Sequence, residues 1–146
     1  MVRGEASLVM KLCSACLLGI DCRYDGGNNK NGKVLELARE EVLIPVCPEQ
    51  CGGLPTPRIP SEQRGEQVVT KKGEDVTENF QRGAHGSLLL ARLYGIGEAI
   101  LKQRSPSCGV GEIYDGTFSG KVISGNGVTA TLLKENGIKL MSEEEL

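Results

Sequence analysis

Apolar and polar positions along the chain follow two periods, and the change from one to the other marks the elements. Residues 7–18, SLVMKLCSACLL, are mostly apolar with few breakers. That is the pattern of a parallel strand buried on both faces. The run reaches Gly19 and then a polar loop over 21–31, where Asp25-Gly26-Gly27 and Asn28-Asn29 are turn-forming. Val34, Leu35, Leu37 and Ala38 recur at roughly helical spacing within 33–41, and the short β-branched run at 42–46 predicts a second strand that stops at Cys47-Pro48.

Residues 52–65 carry Pro55, Pro57 and Pro60 among several glycines and predict an irregular surface loop. Structureless loops of that length are more often functional than incidental. A short edge strand is expected at 67–70. Asp75 is a candidate helix N-cap with Glu78 as its capping-box partner, opening a helix that runs through Leu88, Leu89 and Leu93 to Gly95. A third strand is expected at 98–102, and a hairpin at 113–123 turning at Asp115-Gly116 or Ser119-Gly120. A short helix at 129–135, stopped by Asn136-Gly137, and a strand at 138–141 complete the pattern.

Strands alternating with helices predict α/β architecture: one three-layer domain over 10–146, doubly wound around a mostly parallel, Rossmann-like sheet, with 1–9 as a flexible extension. In such folds ligands bind at the carboxyl ends of the strands, near a topological switch point. Cys16, Cys47 and Cys108 each fall at or just past the end of an expected strand. Three thiols far apart in sequence would therefore meet at one edge of the sheet.

Composition narrows the function. The net charge is −2 with both signs interspersed, so the chain lacks the basic footprint of a DNA-binding protein. No apolar run is long enough for a membrane span. Residues 1–7 lack the apolar core of a signal peptide, so the expected location is cytoplasmic. Six cysteines in a reducing compartment suggest ligation or catalysis before disulfides.

Local spacing is a weak guide to which thiols act. Cys13 and Cys16 form a C-x-x-C, but on an extended strand they would point to opposite faces. Cys47 and Cys51 do not supply the second pair that a zinc ribbon needs, and no ferredoxin-type run is present. A buried free cysteine is as good a reading of any one of them. The surrounding segments say more. Cys47-Pro48-Glu49-Gln50 sets a carboxylate two residues from a thiol, and Ser105-Pro106-Ser107-Cys108-Gly109 joins two hydroxyls, a thiol and a glycine that lets backbone N–H groups come close to sulfur or an anion. Either alone reads as an ordinary turn; the two together read as a site.

Ser14-Ala15-Cys16-Leu17-Leu18-Gly19, Arg23-Tyr24-Asp25-Gly26, Pro45-Val46-Cys47-Pro48-Glu49-Gln50, Gly53-Leu54-Pro55-Thr56-Pro57-Arg58 and Ser105-Pro106-Ser107-Cys108-Gly109 occur in this order. With Asp75-Val76-Thr77, Gly83-Ala84, the segment from Ile113 to Phe118, and Gly127-Val128-Thr129-Ala130, they span almost the whole chain. This series resembles a family first defined as a domain of unknown function, members of which are assigned as thiouracil desulfidases. The resemblance implies a [4Fe–4S] cluster held by Cys16, Cys47 and Cys108, with a fourth iron free of protein ligands to take the sulfur of a thiolated pyrimidine base or nucleoside. It implies a catalytic acid at Glu49 and a catalytic serine in the SPSCG segment, Ser105 first and Ser107 second. Cys13, Cys22 and Cys51 are expected to be structural.

Three thiolates leave one coordination position open, as in catalytic zinc sites, and iron is thiophilic. Sulfur leaves as sulfide and oxygen arrives as water, so the reaction needs no net electron transfer. Arg23, Tyr24, Asp25 and Arg58 flank the motifs and are candidate substrate-binding residues, against the alternatives of solvated charges and a simple turn. Two other functions fit a cluster protein: cluster or metal delivery, and electron transfer. The sequence does not define an oligomeric state.

Overall fold

The computed structural model describes residues 9–146. In chain order the elements are β1 (Met10–Ser14), a 3-10 turn (Ala15–Leu18), α1 (Gly32–Leu37), β2 (Val42–Val46), α2 (Pro48–Cys51), β3 (Ser61–Arg64), β4 (Gln67–Thr70) and α3 (Thr77–Leu93). They continue with β5 (Glu98–Leu101), β6 (Glu112–Tyr114), β7 (Val122–Ser124), α4 (Val128–Glu135), β8 (Lys139–Ser142) and a 3-10 turn (Glu143–Glu145). Apart from Val9, the extension expected at 1–9 lies outside the described residues.

β2, β1, β5 and β8 form the central sheet in that spatial order, all parallel. The chain steps outward from β1 to β2, then crosses back over β1 to β5. The reversal lies between β1 and β5, and the carboxyl ends of these strands open onto the same edge. Pro45 lies on edge strand β2, where its missing N–H breaks no ladder within the sheet.

Strand alternation divides the core. Leu12, Ala99 and Leu101 face one way, against Leu88 and Ala91 of α3 and Ala130 and Leu133 of α4. Cys13 and Ile100 face the other way, against Val34 of α1 and Leu17. A sheet covered on both faces makes the expected three-layer α/β domain. β3–β4 and β6–β7 are separate antiparallel hairpins beside the sheet's carboxyl edge.

Several boundaries differ from the sequence reading. The first apolar run is a strand only over Met10–Ser14; Ala15–Leu18 then coils into a 3-10 turn closed by Gly19 at φ 93°. This takes Cys16 off the strand while Cys13 stays fully buried in it. The loop at 52–65 contains a strand, β3, paired with β4. Asp75 does not cap α3: Val76 holds that position, and the Asp75 carboxylate instead accepts the Thr77 N–H at 2.9 Å from outside the helix.

α2 rests on α3 with no side chain between the two backbones. A Cβ on Gly83 would lie 1.9 Å from the Pro48 carbonyl oxygen, and one on Gly52 would lie 1.9 Å from that of Asn79. This contact fixes the helix that begins at Cys47 and carries Glu49. In an isolated helix Gly83→Ala would gain about 1 kcal/mol. Here overpacking is expected to win and destabilise the protein by about 1–3 kcal/mol. Urea denaturation checks this; a stabilised variant would mean that the α2–α3 seat yields.

Candidate functional site

The three loops leaving β1, β2 and β5 surround a cavity of about 440 Å³, and Cys16, Cys47 and Cys108 all line it. Cys16 lies in the turn after β1, and Cys47 is the residue at which β2 becomes α2. Cys108 is held by α4. The Val128 N–H donates to the Pro106 carbonyl at 3.0 Å, and the Thr129 and Ala130 N–H groups donate to Ser107 O at 2.9 and 3.2 Å. The SPSC segment thus satisfies the first N–H groups of α4, which lacks a side-chain cap. Gly127 permits the approach, since a Cβ there would lie 2.3 Å from the Ser107 carbonyl carbon.

Cys22 is one of the three cysteines that the sequence predicts to be structural. It is buried and lines the same cavity as Cys16 and Cys47, and the Cys47 thiol donates to its backbone carbonyl at 3.8 Å. The neighbouring Cys22 thiol is the largest cause lowering both, Cys47 to about 6 and Cys16 to about 7, against the burial that opposes it. The Gln50 backbone and Arg58 help at Cys47, and Asn29 and Lys102 help at Cys16. The two neighbouring thiolates drive the Cys22 thiol sharply up. Burial raises Cys108 to about 12, and the same effect holds Cys13 neutral at about 12 beneath the sheet.

Glu49 faces this cavity with both oxygens engaged. Arg58 Nε donates to Oε1 at 2.9 Å, and Ser107 Oγ donates to Oε2 at 3.1 Å. Other Arg58 N–H groups donate to Cys22 O (2.8 Å), Thr56 Oγ (2.9 Å) and Pro55 O (3.2 Å). Four of its five guanidinium N–H groups are thus engaged, so Arg58 is held as the clamp on Glu49 while still lining the cavity. Arg23 and Tyr24 line the cavity, with the Arg23 guanidinium 5.4 Å from the Tyr24 ring centroid. Asp25 does not line it; its carboxylate accepts the Gly27 N–H at 2.9 Å within a turn.

Ser105 and Ser107 hydroxyls are 3.0 Å apart. Ser105 Oγ also accepts the N–H groups of Ser107 (3.2 Å) and Cys108 (3.0 Å). A hydroxyl has one proton to give, and an ionised carboxylate only accepts. With the Ser107 proton directed to Glu49, Ser105 must be the donor to Ser107. The chain has a direction: Ser105 to Ser107 to Glu49. Ser107 is buried, while Ser105 is half-buried at the cavity wall.

No three His, Cys, Asp or Glu side chains among the described residues converge closely enough for a single metal ion. A polynuclear cluster presents its irons at separate corners, so its thiolates stand apart around a cavity. Three cysteines on three loops fit that requirement. Iron also displaces a thiol proton outright, so the high value at Cys108 does not bar ligation.

Fold and cavity together define a cysteine-lined α/β protein suited to a thiolate-bound cluster. The chain belongs to the 2-thiouracil desulfurase family, whose pattern matches residues 12–145. It is 46% identical to the uncharacterized protein YbbK of Bacillus subtilis strain 168, over 94% of this chain and 97% of that protein. It is also similar to the solved structure of TudS, a [4Fe-4S]-dependent thiouracil desulfidase, with a TM-score of 0.90 and 46% identity. That match covers 94% of this chain and 93% of the other. No helix among the described residues is long and apolar enough to cross a membrane.

Cys22 is expected to set the titration of its two neighbours. In cluster-free protein with Cys51 replaced by serine, alkylation of Cys47 and Cys16 is expected to rise between about pH 6 and 7. Cys22→Ala removes the shared donor and should move both profiles upward, towards the ordinary thiol value near 8.5. Mass spectrometry of the labelled peptides across pH reads this, and unchanged profiles would exclude Cys22 as the donor.

Proposed function

We propose that this protein hydrolyses the thiocarbonyl bond of a thiolated pyrimidine, such as 2- or 4-thiouracil, releasing the oxo-pyrimidine and hydrosulfide. The observation that carries the reading is the directed Ser105–Ser107–Glu49 chain set on the wall of a cysteine-lined cavity. Carrying a cluster to another protein, or passing electrons, would give a clamped carboxylate and two aligned hydroxyls nothing to do. The family match and the similarity to TudS point the same way.

Cys16, Cys47 and Cys108 would hold a [4Fe–4S] cluster, with Cys22 as hydrogen-bond donor to two of them. When bound, the cluster supplies an iron free of protein ligands, a Lewis acid that takes the thiocarbonyl sulfur. The side chains move the protons. Ser105 accepts a proton from the attacking water while its own proton passes through Ser107 to Glu49. The N–H groups of Ser107 and Cys108 stabilise the negative charge that develops on Ser105 Oγ during this transfer. Glu49, now protonated, returns the proton to the departing sulfur or a ring nitrogen. Water enters, sulfide leaves, and no net electron is exchanged. Arg58 keeps the Glu49 carboxylate aimed at Ser107 throughout.

Anaerobic purification followed by addition of 4-thiouracil tests the proposal, with uracil and sulfide as products. Wild type should be brown and should turn over without reductant; a brown protein that releases no sulfide would overturn the desulfidase reading. Glu49→Gln and Ser105→Ala should keep the visible spectrum and lose about 10²–10⁴-fold in kcat. Cys47→Ser should stay colourless after reconstitution with iron and sulfide, whereas Cys22→Ser should bind the cluster. A bound cluster in Cys47→Ser would show that the ligand set is different.

A further inference from the structure

The β6–β7 loop reaches over the cysteine-lined cavity, and Phe118 contributes to the cavity wall. Phe118 has φ 58°, between Gly116 at φ 92° and Gly120 at φ 80°. Glycine takes this backbone region without penalty, whereas a bulky side chain there is a genuine outlier. Two of the three left-handed positions in the loop carry the favoured residue; the third carries an aromatic ring.

β3 holds that strained turn in place. Glu62 Oε1 accepts both the Gly116 N–H (3.0 Å) and the Phe118 N–H (3.1 Å). From the same strand, Arg64 Nη2 donates to the Gly116 carbonyl at 2.8 Å. Gln63 Nε2 donates to the carbonyls of Pro106 and Asn126 at 3.0 and 2.9 Å. One short strand therefore fixes the loop bearing Phe118 relative to the segment bearing Ser105 and Cys108. Strain of this kind persists only where the surroundings over-determine it, and it gathers at ligand sites.

We infer that Phe118 is a stacking platform for the substrate's flat heterocycle. The inference rests on the thiopyrimidine reading and adds to it a requirement for a planar ring. A ring lying on Phe118 can be held through its π-face whatever its exocyclic groups, because stacking is tolerant of base identity. The platform thus selects for a planar conjugated thioamide over a flexible one.

The chain contains no tryptophan, so Phe118→Trp introduces a single tryptophan that can be excited at wavelengths where tyrosine does not absorb. Uracil, the proposed product, is added to this variant as the anaerobic holoenzyme and is expected to quench its emission saturably. Tyr94→Trp is the control. It is exposed between α3 and β5, at the opposite end of the sheet from the cavity, and should not respond. Phe118→Leu keeps an apolar side chain but loses the π-face. It should raise KM for 4-thiouracil roughly tenfold, within the range that base–aromatic stacking spans, and leave kcat within about twofold. An unresponsive Phe118→Trp, or an unchanged KM in Phe118→Leu, would overturn the platform even if the wild type desulfurates normally. If the wild type releases no sulfide, the desulfidase reading fails on its own, and the uracil titration still decides whether a planar ring stacks here.

Discussion

The buried ion pair between Arg58 and Glu49 is the interaction on which the site depends. Their side chains are 7% and 14% exposed. Removing either partner from such a pair typically costs about 3–5 kcal/mol, because the other is left as an uncompensated charge. Here the guanidinium does more than neutralise. It takes the Cys22 carbonyl and the Thr56 hydroxyl as further acceptors, and the Arg58 backbone N–H donates to Tyr24 O at 2.7 Å. One residue thereby joins the loop after β1 to the helix after β2. The same side chain that aims the carboxylate at Ser107 also anchors the backbone of Cys22, beside Cys16 and Cys47 on the cavity wall.

The cavity that this junction borders opens where the strand order reverses, between β1 and β5. A crevice at such a point is open because the connections on its two sides leave in opposite directions. The fold brings the loops together, and the surrounding contacts then fix them to within hydrogen-bond tolerance. Gly83 and Gly52 let α2 settle on α3, and Gly127 lets α4 settle on the SPSC segment. None of these glycines carries a reacting group, yet each decides where a chemical group stands. Small residues at helix contacts are thus part of the site's architecture.

What the sequence disclosed follows the range of the forces involved. β2 and α4 were legible almost residue for residue, because a bounded β-branched run and an Asn-Gly stop are local signals. Convergence of Cys16, Cys47 and Cys108 on one cavity was legible from topology alone. The Cys22 thiol between two other thiols was not, since nothing in its spacing to Cys16 or Cys47 encodes that contact. β3 was hidden among prolines and glycines: its register with β4 is a tertiary fact, and its Glu-Gln-Arg run reads as a solvated edge until the loops it grips are in place. Asp75 failed as a cap for a related reason. Its carboxylate binds both the Thr77 N–H and the Thr77 hydroxyl, so the helix starts later than the capping-box pattern implies.

Strain and unfavourable burial gather on one side of the molecule. Among the described residues, the non-glycine residues with positive φ are Arg104 and Phe118, and both line the cavity. Arg104 directly precedes Ser105. Its N–H donates to Gln103 Oε1, which also accepts from Val110 N at 2.8 Å, so one amide side chain closes the loop from both ends. Its guanidinium is paired with Glu112 and Glu144 outside the cavity. No residue of the sheet below has positive φ, and its buried positions are apolar apart from Cys13 and the serines Ser14 and Ser142 that end β1 and β8. Backbone strain costs of order 1–3 kcal/mol per residue, and a core of this kind can carry two such residues and a buried ion pair. The division is physical: the lower half of the domain supplies stability, and the upper half spends part of it to hold a carboxylate, two hydroxyls and a ring where relaxed backbone would not place them.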